Sequence, residues 1–348
     1  MSVHLKSKKD SSTLLNPLNN FQPEDISFEV RSDPLTGETG RVFNLQYNNP
    51  ERPDIKEVIT KSENMPCPFC PEALGSSTPM FPKEVVPEGR IKIGDATLIP
   101  NFIPFDKYAA VSIMSKEHYV AIENLTPKKM SDSFWAAIVF IKRIIAVDPQ
   151  VKYFYVNWNY MPQSGSSLIH PHLQVNCGYN PTNYHKMQIE GYKRYEYENN
   201  SDFWQDFMVS EKEHGDRYIG ETRCTFWVMS FVSQTFLPDI WCIFKKYHSF
   251  AEIKRDELLD FLTGLSRVFG YMAAEGLFSF NISIYSIKNA GDFRINAKIC
   301  PRLLPRAIGN SDRSYLQVLH KEPYSIKPPE AICPIVRSYF NEQDHKAV

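Results

Sequence analysis

The stretch Ser164-Gly-Ser-Ser-Leu-Ile-His170-Pro171-His172-Leu173-Gln174-Val175 constrains this chain more than any other. It sets two histidines two residues apart, after a small-residue loop and downstream of the β-prone run Tyr153-Phe-Tyr-Val-Asn-Trp158. If His170 to Val175 is extended, the two-residue period of a strand puts His170, His172 and Gln174 on one face. One reading is an edge strand with solvated histidines, since alternate polar residues are ordinary on a half-exposed sheet. The sharper reading is a phosphate-handling site. A hydrogen bond to one imidazole nitrogen keeps the other neutral and nucleophilic, and a Gly/Ser loop offers donors to a phosphate.

Cysteine usage points to a metal. Cys67-Pro-Phe-Cys70 supplies two of the four ligands of a tetrahedral zinc. A redox pair needs a strand-to-helix junction, against which Pro66, Pro68 and Pro71 argue. Residues 60–90 are rich in Pro and Cys and show little helical or strand periodicity, so something besides local hydrogen bonding must hold them. His118 and His170, each at the end of an expected strand, are the best candidates for the missing ligands. Such a Cys₂His₂ set leaves no open position for water and is structural. The scattered Cys177, Cys224, Cys242, Cys300 and Cys333 read as buried small hydrophobes, and an odd total of seven argues against a complete disulfide framework.

A net charge of −1 over 348 residues argues against general nucleic-acid binding. The absence of an 18-residue apolar run, and of an apolar stretch near the N-terminus, leads to the expectation of a cytosolic protein without membrane contact.

Residues 1–25 are polar and expected to be loosely ordered. Strands are expected at Ile26–Arg31, Ala96–Pro104, Ala109–Met114 and Tyr153–Trp158, with turns or loops at Asp33–Glu38 and Asn48–Pro53. A helix with Thr126 as N-cap and Pro127 in its first turn runs to Ala146. The same order returns later: strands at Thr225–Ser230 and Trp241–His248, a helix over Glu252–Ala274, and strands at Phe278–Tyr285 and Phe293–Cys300. His118 precedes His170 by 52 residues and His248 precedes Asn296 by 48. The fold class is therefore read as α+β, an internal duplication of a strand–strand–helix–strand–strand unit, each half with an antiparallel sheet and a packed helix. Chance recurrence of common elements is the competing reading. The expected halves are 26–184 and 223–348, joined by a helical connection over 185–222. Only the first half keeps its histidines, so one active site per chain is expected there.

Cys67-x-x-Cys70, Ser115-x-x-His118 and Gly165-x-Ser167-x-x-His170-Pro-His172-x-Gln174, in that order, resemble the motifs of the galactose-1-phosphate uridylyltransferase family, a branch of the histidine-triad superfamily. The resemblance runs from Arg31-Ser-Asp-Pro-Leu-Thr-Gly-Glu38 to the C-terminal helix around Ile335–Phe340. It implies that Cys67, Cys70, His118 and His170 bind one structural zinc. It makes His172 the nucleophile that carries a nucleoside monophosphate, with Gln174, Gly165 and Ser167 holding the phosphates. Phe69 with Pro68 matches the wall against the nucleobase, Asn101 lies near the ribose position, and Asn157 or Asn159 reaches a phosphate. The implied reaction is ping-pong transfer from a nucleoside-diphosphate sugar to a sugar phosphate, with a nucleotide-sugar phosphorylase and a non-catalytic nucleotide-binding protein as alternatives. Homodimerisation is a family expectation.

Gln174 is informative, because histidine-triad hydrolases carry a third histidine there. A glutamine cannot protonate a leaving group, but it can donate to a phosphoryl oxygen, which suffices when the leaving group is itself a phosphate. In the second half Asn296-Ala-Lys298 replaces the family's His-x-His, so a second metal is not expected. Leu319-His320 falls where the family's hexose-binding glutamate is expected. Lys298, Arg302 and Arg306 are candidates for binding an anionic co-substrate.

Overall fold

The computed structural model describes residues 3–45, 54–289, 291–303 and 311–342. In chain order, β1 (Lys6–Asn16), β2 (Gln22–Ser32) and β3 (Thr39–Phe43) come first, then two short helices, α1 (Lys56–Glu63) and α2 (Pro71–Ser77). The first unit follows as β4 (Ile91–Ile93), β5 (Ala96–Pro100), β6 (Tyr108–Ile113), α3 (Pro127–Val147), β7 (Tyr153–Tyr160) and β8 (His172–Gly178). Helices α4 (Asn183–Asn199) and α5 (Phe203–His214) form the connection. The second unit is β9 (Tyr218–Glu221), β10 (Thr225–Met229), β11 (Ile240–Phe244), α6 (Arg255–Ala274), β12 (Ser279–Ile287) and β13 (Asn296–Arg302). The chain closes with α7 (Tyr315–Leu319), β14 (Tyr324–Ser325) and α8 (Pro329–Glu342).

Ten strands form one sheet in the order β4-β5-β6-β8-β7-β12-β13-β11-β10-β9, a palindrome about the antiparallel β7–β12 pair. The expected α+β duplication is thus present in the topology, with the two half-sheets fused into one. The register repeats as well. Gln174 pairs with Asn157 as Lys298 pairs with Ser283, and His172 pairs with Ile113 as Asn296 pairs with Ile243. Superposing one unit on the other therefore lays Lys298 on Gln174 and Asn296 on His172. His118 and His248 each follow their reference isoleucine by five residues and are equivalent too.

Alternation along each strand sorts side chains between two layers. On one face Leu173, Val175, Trp158, Phe280 and Ile282 meet α3 and α6 in the main core. Phe269 lies 4.7 Å and Trp158 5.1 Å from the Phe280 ring, centroid to centroid. Gly264 is needed there, because a Cβ on it would come within 2.5 Å of the Trp227 ring. Thr126 caps α3 by accepting from Lys129 N–H, with Pro127 at the first position.

The opposite face is covered unequally. Over the second unit, α4 and α5 bring Tyr192, Phe203, Trp204 and Phe207 onto Trp241, Ile243 and Phe293. Over the first unit, the hydrophobic residues packed on Ile99, Val111 and Ile113 among the described residues are Phe69 and Leu74. A polar strip including Gln174, Asn157 and Ser283 is left between them.

Several segments differ from the sequence expectation. Residues 6–25, expected to be loosely ordered, belong to the β1–β2 hairpin, in register from Lys6↔Ser32 to Asn16↔Gln22 and turned by left-handed Asn20 and Phe21. The 60–90 segment contains the second half of α1 and all of α2; both are too short for a periodicity signal. The Ala96 strand ends at Pro100, and the second-half strand expected to reach His248 ends at Phe244. His170 precedes β8 instead of opening it. The Asn48–Pro53 loop lies outside the described residues. Arg31 joins the smaller sheet, β1-β2-β3-β14, to the rest through Glu330 at 2.9 Å, and Glu330 also binds Arg217 at 2.7 Å.

Candidate active site and metal centre

The knuckle Cys67–Cys70 is closed by Cys70 N–H donating to the Cys67 carbonyl at 3.3 Å, and α2 starts at once with Pro71 in its first turn. Cys67, Cys70, His118 and His170 come together with one ligand atom each, all within 4.8 Å of one another. Cys70 Sγ is 3.3 Å from His118 Nδ1, and His170 Nδ1 is 3.7 Å from both sulfurs. Bonds of about 2.0–2.3 Å in a tetrahedron place ligand atoms about 3.3–3.8 Å apart, so the set fits a metal ion. The far nitrogens are anchored as metal-bound histidines require: His170 Nε2–H donates to the Ser115 carbonyl at 2.8 Å, and His118 Nε2 meets Ser62 Oγ at 2.9 Å. Burial and the neighbouring Cys67 push the Cys70 thiol up to about 11, so holding thiolates here calls for a cation. Burial lowers His170 to about 4, leaving a neutral imidazole.

His172 opens β8 and is buried. Its Nδ1–H donates to the His170 carbonyl at 2.7 Å, which leaves the Nε2 lone pair free. Burial lowers its pKa, which favours the same neutral form. The Phe69 ring lies edge-on to it at 5.1 Å, continuous with Leu74, Ile99, Val111 and Ile113. Gln174 follows on the same face of β8. The metal-ligand cluster and this ring are therefore linked through one residue, whose ring faces the cluster and whose carbonyl fixes His172.

The loop before His170 is a tight backbone construction. Pro162–Ser164 is a 3₁₀ turn entered by Met161 at φ +70° and left by Gly165 at φ +87°. Nothing crowds the position a Gly165 Cβ would take, so glycine is required for its left-handed backbone and not for space. Gly165 and Ser167 are exposed. Ser164 Oγ is turned inward onto the Met161 carbonyl at 2.7 Å.

Two expected contact residues are committed locally. Asn101 Oδ1 accepts from Ile103 N–H at 3.2 Å, shaping the loop after β5. Asn157 accepts from Ser283 Oγ at 2.8 Å and donates to the Gln174 carbonyl at 3.4 Å. Ser283 and Asn281 come from the second unit and were not anticipated. Asn281 Nδ2 reaches Asn159 Oδ1 at 2.7 Å and the Ser164 carbonyl at 2.8 Å. The strict alternation of Asn281, Ser283 and Tyr285 with Phe280, Ile282 and Ile284 is the signal that reveals them. Of the three cations expected to bind an anion, Arg302 is spent on Asp312, its Nε at 2.7 Å, and on Asn281. Arg306 lies outside the described residues, whereas Lys298 lines a cavity. Leu319 is 75% exposed at the end of α7 and His320 follows it, also exposed.

Among the described residues no helix is long and apolar enough to cross a membrane. No protein-family profile matches the chain. An uncharacterised protein of Archaeoglobus fulgidus is 29% identical over 323 residues, 92% of this chain and 94% of that one. An ADP-glucose phosphorylase from Arabidopsis thaliana with bound ADP-glucose superposes with a TM-score of 0.69 at 17% identity, covering 89% of this chain and 98% of that one. A uridylyltransferase mutant superposes with a TM-score of 0.65 at 14% identity, covering 90% and 99%. The chain has the fold of the galactose-1-phosphate uridylyltransferase-like proteins.

Proposed function

We propose that this chain is a nucleotidyltransferase that moves a nucleoside monophosphate from a nucleoside-diphosphate sugar to a phosphate-bearing acceptor through His172. The observation that carries the reading is the His172 ring, tied at Nδ1 to the His170 carbonyl at 2.7 Å and free at Nε2. In the first half-reaction Nε2 attacks the α-phosphorus. A P–N bond forms, the P–O bond to the sugar phosphate breaks, and the sugar phosphate leaves with the electron pair. In the second, an acceptor phosphate oxygen attacks the same phosphorus and the pair returns to Nε2.

Gln174 donates to a non-bridging oxygen as charge develops, and the Gly165–Ser167 loop adds donors to the phosphates. No side chain need supply an acid, because the leaving phosphate has a low pKa. Phe69 with Pro68 forms the wall for the base, with Asn101 on the ribose side and Asn157 fixing β8. Cys67, Cys70, His118 and His170 hold one zinc ion. Bound there, it closes the Pro-rich segment onto the sheet and pins the residue whose carbonyl orients His172.

Transfer to inorganic phosphate is the second reading. Support comes from the exposed Leu319-His320, where the hexose-binding glutamate was expected, and from the likeness to an ADP-glucose phosphorylase. Isotope exchange tests both readings. Label from free sugar phosphate should enter the nucleotide sugar without a third reactant, with parallel lines in double-reciprocal plots. Exchange that requires both acceptor and donor together refutes the covalent route, and turnover with inorganic phosphate alone selects the phosphorylase.

A further inference from the structure

A chain of side-chain hydrogen bonds runs from the end of the second unit into the loop before His170, and the reaction just described gives it no role. It starts at the buried Asp312, which takes the buried Arg302 by its fork: Nε donates to Oδ2 at 2.7 Å and Nη2 donates to Oδ1. Leu303 N–H donates to the same Oδ2 at 3.0 Å and steadies the carboxylate. A guanidinium gripped at two nitrogens cannot turn in its plane, so the direction of the remaining Nη1 is set. It donates to Asn281 Oδ1 at 2.7 Å.

Arginine offers donors alone, so Asn281 must turn its oxygen to Arg302 and its amide N–H groups the other way. There Nδ2 donates to Asn159 Oδ1 at 2.7 Å, across the β7–β12 pair, and to the Ser164 carbonyl at 2.8 Å. The Ser164 carbonyl and Gly165 N–H belong to one planar peptide unit. Gly165 N–H donates to the Pro162 carbonyl at 2.9 Å, so this plane is held at both ends. The Pro162 bond closes the turn on itself, whereas the Asn281 bond ties the turn to the sheet. Immediately after the held plane, Gly165 at φ +87° redirects the chain toward Ser167 and His170, and no neighbour packs where its Cβ would be. A glycine without packing around it gives a loop much conformational freedom, so a pin from outside sets where the loop lies. A buried ion pair adds little net stability over apolar packing. What the Asp312–Arg302 pair supplies is direction.

We propose that Asn281 is a positioning residue for the first unit's site: aimed by the Asp312–Arg302 pair, it fixes the Ser164–Gly165 peptide and with it the loop that holds the phosphates. The second unit, which has no nucleophile of its own at Asn296, then acts on the transfer without touching the substrate. The effect on transfer rests on the reading of the Gly165–Ser167 loop given above; the pinning of the loop does not.

The test combines single-turnover adduct formation on the full chain, followed by intact mass over a range of UDP-sugar or ADP-sugar concentrations, with hydrogen exchange of the peptide spanning 161–169. Asn281→Asp keeps an acceptor for Arg302 and deletes the donor to Ser164. It and Asn281→Ala should each slow adduct formation about 10–10²-fold, as a reacting group misplaced by a fraction of an ångström does. The half-saturating donor concentration should stay within about threefold, because the loop acts as charge develops and the base wall is intact. Arg302→Lys keeps a charge for Asp312 but lacks the fork. It should slow the same step, add nothing when combined with Asn281→Ala, and keep the test open if the Asn281 variants fail to fold. In each variant the 161–169 peptide should exchange at least about threefold faster. A folded Asn281→Asp with the wild-type rate, losses that multiply in the pair, or unchanged exchange overturns the assignment. A wild-type chain that forms no adduct refutes the transfer reading by itself, and the exchange measurement then decides whether Asn281 holds the loop.

Discussion

The two units of the sheet hold equivalent strands in equivalent register, yet one face serves them in opposite ways. In the first unit, position 172 is a histidine with a free ring nitrogen beside Phe69, on the face where Phe69 and Leu74 pack. In the second unit Asn296 takes that position, and its Oδ1 accepts from Gln188 Nε2 and Trp241 Nε1, each at 3.0 Å, beneath α4. His118 lies in the four-ligand cluster, while the ring of its equivalent His248 meets the Phe293 carbonyl at 3.4 Å. The lesson is that position in a fold does not make a site. The cover over a strand decides whether a polar side chain there keeps a free atom, as His172 does, or is bonded beneath a helix, as Asn296 is.

The strongest way to sharpen the contrast is to remove the pin on the first face. Cys67→Ser should leave a cluster that no longer holds its ion. Solubility and thermal midpoint should then fall sharply, by ten degrees or more, because the affinity of a structural metal is part of the folding free energy. Elemental analysis should give about one zinc per wild-type chain. Full stability of metal-free protein breaks the account of this face.

Substitutions at Gln174 and Asn296 should separate the faces. Gln174→Ala should cut transfer about 10²–10³-fold, as for loss of one oxyanion donor, with the thermal midpoint unchanged. Asn296→Ala should do the reverse. It leaves two buried donors without their acceptor and should cost about 1–3 kcal/mol in denaturant unfolding, while adduct formation persists. If Asn296→Ala abolished transfer and spared stability, the second face would not be structural.

The smallest effect concerns the seam between the units. Ser283→Ala removes one neutral hydrogen bond to Asn157 and should cost about 0.5–1.5 kcal/mol, with a few-fold loss of rate. No change in rate would show that the second unit does not steady Gln174.

Local chemistry made much of this legible from sequence. Thr126-Pro127 marked a helix start, a β-prone run marked β7, and Cys67-x-x-Cys70, with His118 and His170 taken from the ends of expected strands and from the resemblance, named the four residues that the structure brings together. What escaped has physical reasons. The palindromic sheet depends on β7 pairing with β12, a contact across more than a hundred residues that no local pattern encodes. Helices α1 and α2 have 8 and 7 residues, too few turns for a period to emerge. Arg302 looked available because its partner Asp312 lies across the chain segment where Arg306 stands, and a sequence does not show which charges are spent.

The most direct test of the central claim is the intact mass of the protein after incubation with UDP-sugars or ADP-sugars and no acceptor. The account predicts a gain of one nucleoside monophosphate per chain with the correct donor, acid-labile as a P–N bond is, and absent in folded His172→Ala. An adduct that survives in His172→Ala, or a wild-type chain that turns over nucleotide sugar without ever gaining mass, would contradict it.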